Sequence, residues 1–229
     1  MYAATLGDYH QEAPAMSATA MVHVIDDDAS MRHAVCALLR SVGIEATAYA
    51  SCAEFLSADL PDLPGCLLLD VRLPGTSGLD FQGQLASLGI TLPVILMTGY
   101  ADVPMSVKAM KAGAVDFLTK PFRDQDLLDA VAAAIERDSE QRADDDNMRE
   151  LVDRYLALTT RERQVMELVT AGRLNKQAAF DLGLSEITVK LYRASAMKKM
   201  KARTLPDLVR MSEALRQAGH SEPVSPQAG

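Results

Sequence analysis

From residue 21 onward, short apolar runs alternate with amphipathic stretches. Met21–Ile25 (MVHVI) is apolar and three aspartates follow at once. Over residues 30–42 the apolar positions Met31, Val35, Leu38 and Leu39 recur at helical spacing, and Gly43 ends that pattern. Glu45–Tyr49 reads as a weaker strand, and Ser51 with Glu54 as a capping box before a short helix. Residues 66–69 (CLLL) are wholly apolar and run into Asp70. Pro74, Gly75 and Gly78 mark a loop before a helix reaching Leu88. Residues 93–97 (PVILM) form another apolar strand ending at Thr98-Gly99, and a helix covers about 103–112. A short strand over 115–119 ends at Lys120-Pro121, and a last helix is predicted from about 124 to 137.

This is strand-helix repeated five times. Strands apolar throughout belong inside a parallel sheet covered on both faces. The alternation therefore predicts a doubly wound α/β fold with right-handed crossovers. Such folds place their site at the carboxyl ends of the strands. Asp26, Asp27, Asp70, Thr98 and Lys120 all lie at or just past predicted strand ends, so the pattern brings them to one crevice.

The remainder is different. Residues 139–157 are strongly charged, then carry Met148, Leu151, Val152, Tyr155 and Leu156 at helical spacing, which predicts a partly helical linker. From Thr159 only helices follow. Thr159 and Glu162 form a capping box, and a second helix covers 175–182. A Gly-Leu-Ser turn precedes a third helix from Glu186 to about Lys201, capped by Ser185, and a fourth covers 204–215. A short helix, a tight turn and a basic helix make a helix-turn-helix pattern. Residues 1–20 and 218–229 read as flexible or disordered tails around domains at 21–138 and 158–217.

Charge supports this division. The chain of 229 residues carries a net charge of −8. Between Leu158 and Arg216 there are 12 Lys+Arg against 6 Asp+Glu; elsewhere there are 11 against 25. An acidic part joined to a basic one implies two domains with different partners, the basic one meeting a polyanion. No apolar run approaches the length of a membrane span, and the first twenty residues do not read as a signal peptide. A cytoplasmic protein without membrane contact is expected. Cys36, Cys52 and Cys66 show neither metal spacing nor a disulfide framework.

Three carboxylates in one crevice repel each other without a cation. A hard divalent ion, Mg²⁺ or Mn²⁺, suits their all-oxygen donors. Asp70 can then act as a nucleophile toward a phosphoryl group. Phosphoryl transfer needs charge neutralisation above all; Lys120 supplies a cation, Thr98 a hydroxyl, and Gly99 leaves space. Individually each residue has an ordinary explanation. Asp27 or Asp28 suits a helix N-cap, and Lys-Pro suits a turn. Five suitable residues at four strand ends favour the site.

The segments VIDDD (24–28), LLLDVRLPGTSGLD (67–80), ILMTGYADV (95–103) and AVDFLTKPF (114–122) resemble the receiver domain of response regulators, in particular the FixJ group. The resemblance implies sheet order 2-1-3-4-5 and phosphorylation of Asp70 by a cognate histidine kinase. It implies Mg²⁺ held by Asp27, Asp70 and the Arg72 carbonyl, with Asp26 acting through water. It also implies Thr98 and Phe117 as a switch pair, though the sequence alone favours an ordinary core aromatic at Phe117. Arg72 and Tyr100 flank the pocket and are expected to shield or orient an attacking water.

The stretch 158–200, with LTTRERQV and SEITVK, resembles the LuxR-type helix-turn-helix, a four-helix all-α domain. The third helix is expected in the major groove, with Thr188 touching phosphates, Lys190 a base edge or phosphate, and Leu191 and Ala194 bases. Asn175, Lys176 and Arg193 are expected backbone contacts, while Lys198, Lys199 and Lys201 read better as a solvated face. Tyr192 stands where relatives usually carry His. The implied function is a phosphorylation-dependent transcriptional regulator, not an enzyme, that dimerises on phosphorylation and binds promoter DNA, with RNA polymerase a further partner. Three alternatives remain at this point. They are a constitutive DNA-binding protein with the receiver as dimerisation module, a hydrolase using Asp70, and an adaptor that never meets DNA.

Overall fold

The structure, a computed structural model, describes residues 20–100 and 103–220. The expected tails therefore lie outside the described residues, apart from the few positions bordering them.

The first unit, 1–142, has the expected alternation. Its elements are β1 (Met21–Ile25), α1 (Ala29–Ser41), β2 (Glu45–Tyr49), α2 (Cys52–Leu56) and β3 (Gly65–Asp70). Then come β4 (Arg72–Leu73), β5 (Thr76–Ser77), α3 (Gly78–Leu85), β6 (Val94–Thr98), α4 (Val103–Lys111), β7 (Asp116–Thr119) and α5 (Asp124–Leu156). The main sheet has order β2-β1-β3-β6-β7 and every pairing is parallel. This is the expected 2-1-3-4-5 arrangement. The numbering shifts because β4 and β5 form a small antiparallel hairpin where only a loop was expected. Gly75 makes that hairpin possible, with φ +81° in a region side chains avoid.

The sheet is covered on both sides, as its all-apolar strands require. One cluster joins Val22, Val24, Leu68, Ile95 and Met97 to Val35 and Leu39 of α1 and Leu127 and Val131 of α5. The other joins Ile25, Leu67, Leu69 and Leu96 to Phe55 of α2, Phe81 of α3 and Ala109 of α4. Cys36, Cys52 and Cys66 are free, buried thiols within these layers. Burial pushes Cys66 up to about 12, with the Asp138 charge adding to it.

The helix predicted to end near Arg137 instead continues to Leu156. No Gly or Pro interrupts it. Asp138–Arg142 and Glu150–Arg154 pairs support it at i,i+4 spacing. The chain divides into its two units within this helix, at residues 142 and 143.

The second unit, 143–229, adds α6 (Thr160–Thr170), α7 (Asn175–Leu182), α8 (Glu186–Lys199) and α9 (Leu205–Gln217). Its core gathers Val165, Met166, Val169, Ala178, Val189, Ala196, Leu208 and Leu215, with Tyr155 from the end of α5. Caps match the sequence closely. Thr159 and Glu162 form a capping box, and Ser185 caps α8. Gly183 closes α7 at φ +64°. Among the described residues no helix is long and apolar enough to cross a membrane.

Candidate functional site

Asp26 follows β1 and is fully buried. Every polar atom has a partner. Its N–H donates to the Tyr49 carbonyl (3.3 Å), and its own carbonyl accepts Arg32 Nη1 (2.7 Å). Oδ1 accepts the Asp28 N–H (2.9 Å) and Oδ2 accepts Lys120 Nζ (2.6 Å). Asp70 ends β3. Its Oδ2 accepts the same Lys120 ammonium (2.8 Å) and its Oδ1 the Arg72 N–H (3.1 Å). Asp27 is exposed at the mouth; one oxygen from each of Asp26, Asp27 and Asp70 lies within 4.8 Å of the others. Asp28, not Asp27, caps α1 by accepting the Ser30 and Met31 N–H groups.

Burial raises the Asp26 carboxyl above its usual range, against lowering by Lys120 and the Asp28 N–H. For Lys120 burial opposes the charge, but the bonds to Asp26 and Asp70 outweigh it and raise the ammonium above the usual lysine value. One cation thus faces three carboxylates. The remaining negative charge and the all-oxygen donor set fit a hard divalent cation.

The other predicted pocket residues occupy graded positions. Lys120 precedes a cis Pro121, and its N–H donates to the Thr98 carbonyl (2.7 Å). Thr98 is buried at the end of β6, but its hydroxyl is bonded to the backbone of Tyr100, accepting N–H and donating to C=O at 3.2 Å each. It is not bonded to Asp70. Gly99 is open, with nothing within 4 Å of an added Cβ. Phe117 is half-buried and packs against the α2–α3–α4 cluster. The Arg72 guanidinium lies 4.8 Å over the ring of Tyr100, which is 72% exposed.

Two supporting residues escaped the sequence reading. Arg32 is one. Gly78 is the other: a Cβ there would meet the Asp70 carbonyl oxygen at 2.2 Å. Its position eight residues after Asp70 was visible, but the close approach is a property of the folded backbone.

In the second unit, α8 exposes a stripe of Ile187, Lys190, Leu191, Ala194 and Lys198, three or four residues apart and so on one helix face. Lys190 pairs with Glu186 (3.1 Å). Thr188 is half-buried, sharing its hydroxyl with Ser185 (2.8 Å). Lys176 is exposed, whereas Arg193 Nη1 donates to Asn175 Oδ1 (3.3 Å), so these two expected contacts engage each other.

Lys199, read as solvated surface, instead reaches Glu162 Oε2 (2.7 Å) and the Ala157 carbonyl (3.3 Å). Ser195 donates to Glu162 Oε1 at 2.6 Å. Burial alone would raise Glu162, but the bonds from Lys199, Ser195 and Thr159 hold it at about 2. The buried carboxylate at the start of α6 therefore anchors α8. The spacing of Thr159 and Glu162 revealed the cap; nothing local revealed partners more than thirty residues away.

Residues 22–132 match the response regulator receiver domain family, and residues 156–212 the bacterial regulatory proteins of the luxR family. The chain is 54% identical over 214 residues to Nodulation protein W of Bradyrhizobium diazoefficiens, covering 93% of each. It is 48% identical over 191 residues to the transcriptional regulatory protein FixJ of Azorhizobium caulinodans, covering 83% of this chain and 90% of that one. Among solved structures it resembles the response regulator StyR, with TM-score 0.76 and 41% identity, covering 86% of this chain and 99% of that one. Full-length FixJ from B. japonicum follows at TM-score 0.52 and 38% identity, covering 86% and 97%.

Proposed function

This chain belongs to the FixJ-type response regulators, a receiver domain joined to a LuxR-type DNA-binding domain, and from that premise we propose that Asp70 is its phosphoacceptor. It is a phosphorylation-dependent transcriptional regulator and not a classical enzyme. The observation that carries the assignment is the Asp26–Lys120–Asp70 bridge beside Asp27 at the carboxyl end of the sheet.

The donor is a phosphohistidine on a cognate kinase. An Asp70 carboxylate oxygen bonds to phosphorus as the P–N bond breaks, and the electron pair leaves with the imidazole nitrogen. Asp27, Asp70 and the Arg72 carbonyl, with Asp26 acting through water, would hold Mg²⁺ or Mn²⁺, and the ion would supply charge neutralisation at the phosphoryl oxygens. Lys120 already touches Asp70 and is placed to follow the new charge. The Thr98 hydroxyl must leave the Tyr100 backbone to reach a phosphoryl oxygen. That exchange, with Gly99 leaving room and Phe117 free to repack from its half-buried position, makes a two-state element biased by phosphorylation.

The output is a dimer that presents two α8 helices to promoter DNA, with half-sites about 34–36 Å apart. Lys190, Leu191 and Ala194 meet base edges from the exposed stripe, with Thr188, Lys176, Asn175 and Arg193 nearer the backbone. The receiver spans 21–138 and the DNA-binding domain 158–217, joined by 139–157.

The test is phosphorylation of the full chain with acetyl phosphate, with and without Mg²⁺, beside Asp70→Asn. We expect Mg²⁺-dependent phosphate incorporation, slower migration on phosphate-affinity gels, dimerisation, and tighter binding to duplexes from neighbouring promoters. Asp70→Asn should show none of these. Incorporation in Asp70→Asn would refute the assignment. DNA binding indifferent to phosphodonor would favour a constitutive binder.

A further inference from the structure

Arg32 stands in the first turn of α1, where a cation is poorly placed. The amino end of a helix carries partial positive charge and favours anions, and the first turn of α1 holds no acidic residue. The side chain turns back toward the β1–α1 loop, and Nη1 donates to the Asp26 carbonyl at 2.7 Å. That carbonyl belongs to the peptide joining Asp26 to Asp27. The same short loop is held on its other flank by Asp28, whose N–H reaches Asp26 Oδ1 and whose carboxylate caps α1.

We propose that Arg32 is a positioning residue for the cation site, fixing the Asp26–Asp27 peptide so that both carboxylates face Asp70. This rests on the phosphoacceptor reading above and adds a residue outside the donor set.

Two physical roles for Arg32 predict opposite signs. If its charge were what mattered, it would repel an incoming divalent ion, and neutralising it would tighten binding. If its hydrogen bond is what matters, neutralising it frees the loop and weakens binding. A bond from a charged donor to a buried carbonyl is among the stronger ones. Partners beyond the ligands characteristically change metal affinity by about tenfold or more. The anchoring role therefore outweighs the repulsion, which solvent at the pocket mouth reduces.

The experiment measures Mn²⁺ binding to the unphosphorylated full chain by the electron paramagnetic resonance signal of the free ion. It uses wild type, Arg32→Gln and Arg32→Lys, with the thermal unfolding midpoint of each. We expect Arg32→Gln to bind about tenfold more weakly, with the midpoint lowered by only a few degrees by the lost bond. Arg32→Lys, which keeps a charged donor, should recover part of the loss. Unchanged or tighter binding in Arg32→Gln overturns the proposal. So does a fall in midpoint that tracks the loss of affinity, because it assigns Arg32 to folding alone. A wild-type chain that binds no Mn²⁺ defeats the cation site itself, a separate outcome from wild-type binding unaffected by Arg32.

Discussion

Replacing Glu162 tests how α8 is held in the second unit. Its buried carboxylate accepts the Thr159 N–H at 2.7 Å, Ser195 Oγ at 2.6 Å and Lys199 Nζ at 2.7 Å. Glu162→Ala removes all three. The reciprocal cap contributes about 1 kcal/mol. The Ser195 bond to a charged acceptor contributes about 1.5–3 kcal/mol. The Lys199 side chain is 38% exposed and recovers water, so its share is at most about 1 kcal/mol. The expected loss is therefore about 2.5–5 kcal/mol. Glu162→Gln keeps the shape and one acceptor, so its loss is smaller, roughly 1–2 kcal/mol.

The acid dependence follows from the same contacts. Glu162 is held at about 2, below the 4.5 usual for a glutamate. A lowered folded-state value contributes stability above the unfolded value, and that contribution disappears as pH falls from 4.5 to about 2. Urea unfolding of the full chain, followed by circular dichroism from neutral pH to about pH 3, measures both effects. The gap between wild type and Glu162→Gln should narrow on acidification, and Glu162→Ala should also weaken binding to duplex DNA, because Ser195 and Lys199 lie on α8. A loss under about 1 kcal/mol in Glu162→Ala, or a gap independent of pH, would refute the reasoning.

Gly78→Ala forces a Cβ against the Asp70 carbonyl; an overpacking loss of about 1–3 kcal/mol and slower phosphorylation are expected. Gly83→Ala, with open space around its Cβ in α3, should instead gain about 0.5–1 kcal/mol. Equal unfolding midpoints for the two would contradict this contrast. Arg72→Ala and Tyr100→Ala each break the stack at the pocket mouth. A contact of this kind is worth about 0.5–1 kcal/mol, so the aspartyl phosphate should decay about two- to fivefold faster. Decay curves that superimpose on wild type would remove both residues from water control.

The division of labour between sequence and fold follows from the range over which each signal acts. Strand and helix periodicity, Gly stops and Ser/Thr caps are local, so β1 to β7, the α8 cap and the helix-turn-helix were legible apart from the small β4–β5 hairpin. The convergence of Asp26, Asp27, Asp70 and Lys120 was also legible, because a parallel sheet gathers its carboxyl strand ends into one crevice. The continuity of α5 was not legible because the charged stretch after Arg137 carries no apolar period, whereas Asp138–Arg142 and Glu150–Arg154 turn those charges into helix-supporting pairs. Only the tertiary structure decided which partner each polar group takes. Lys120 bridges Asp26 and Asp70, Thr98 turns to its own loop, and Arg193 is engaged by Asn175. Arg32 holds a peptide of the acidic loop, Glu162 collects Ser195 and Lys199, and Gly78 admits the Asp70 backbone. A side chain can be typed from sequence, but the distances and burial that select its partner exist only once elements far apart in the chain have packed together.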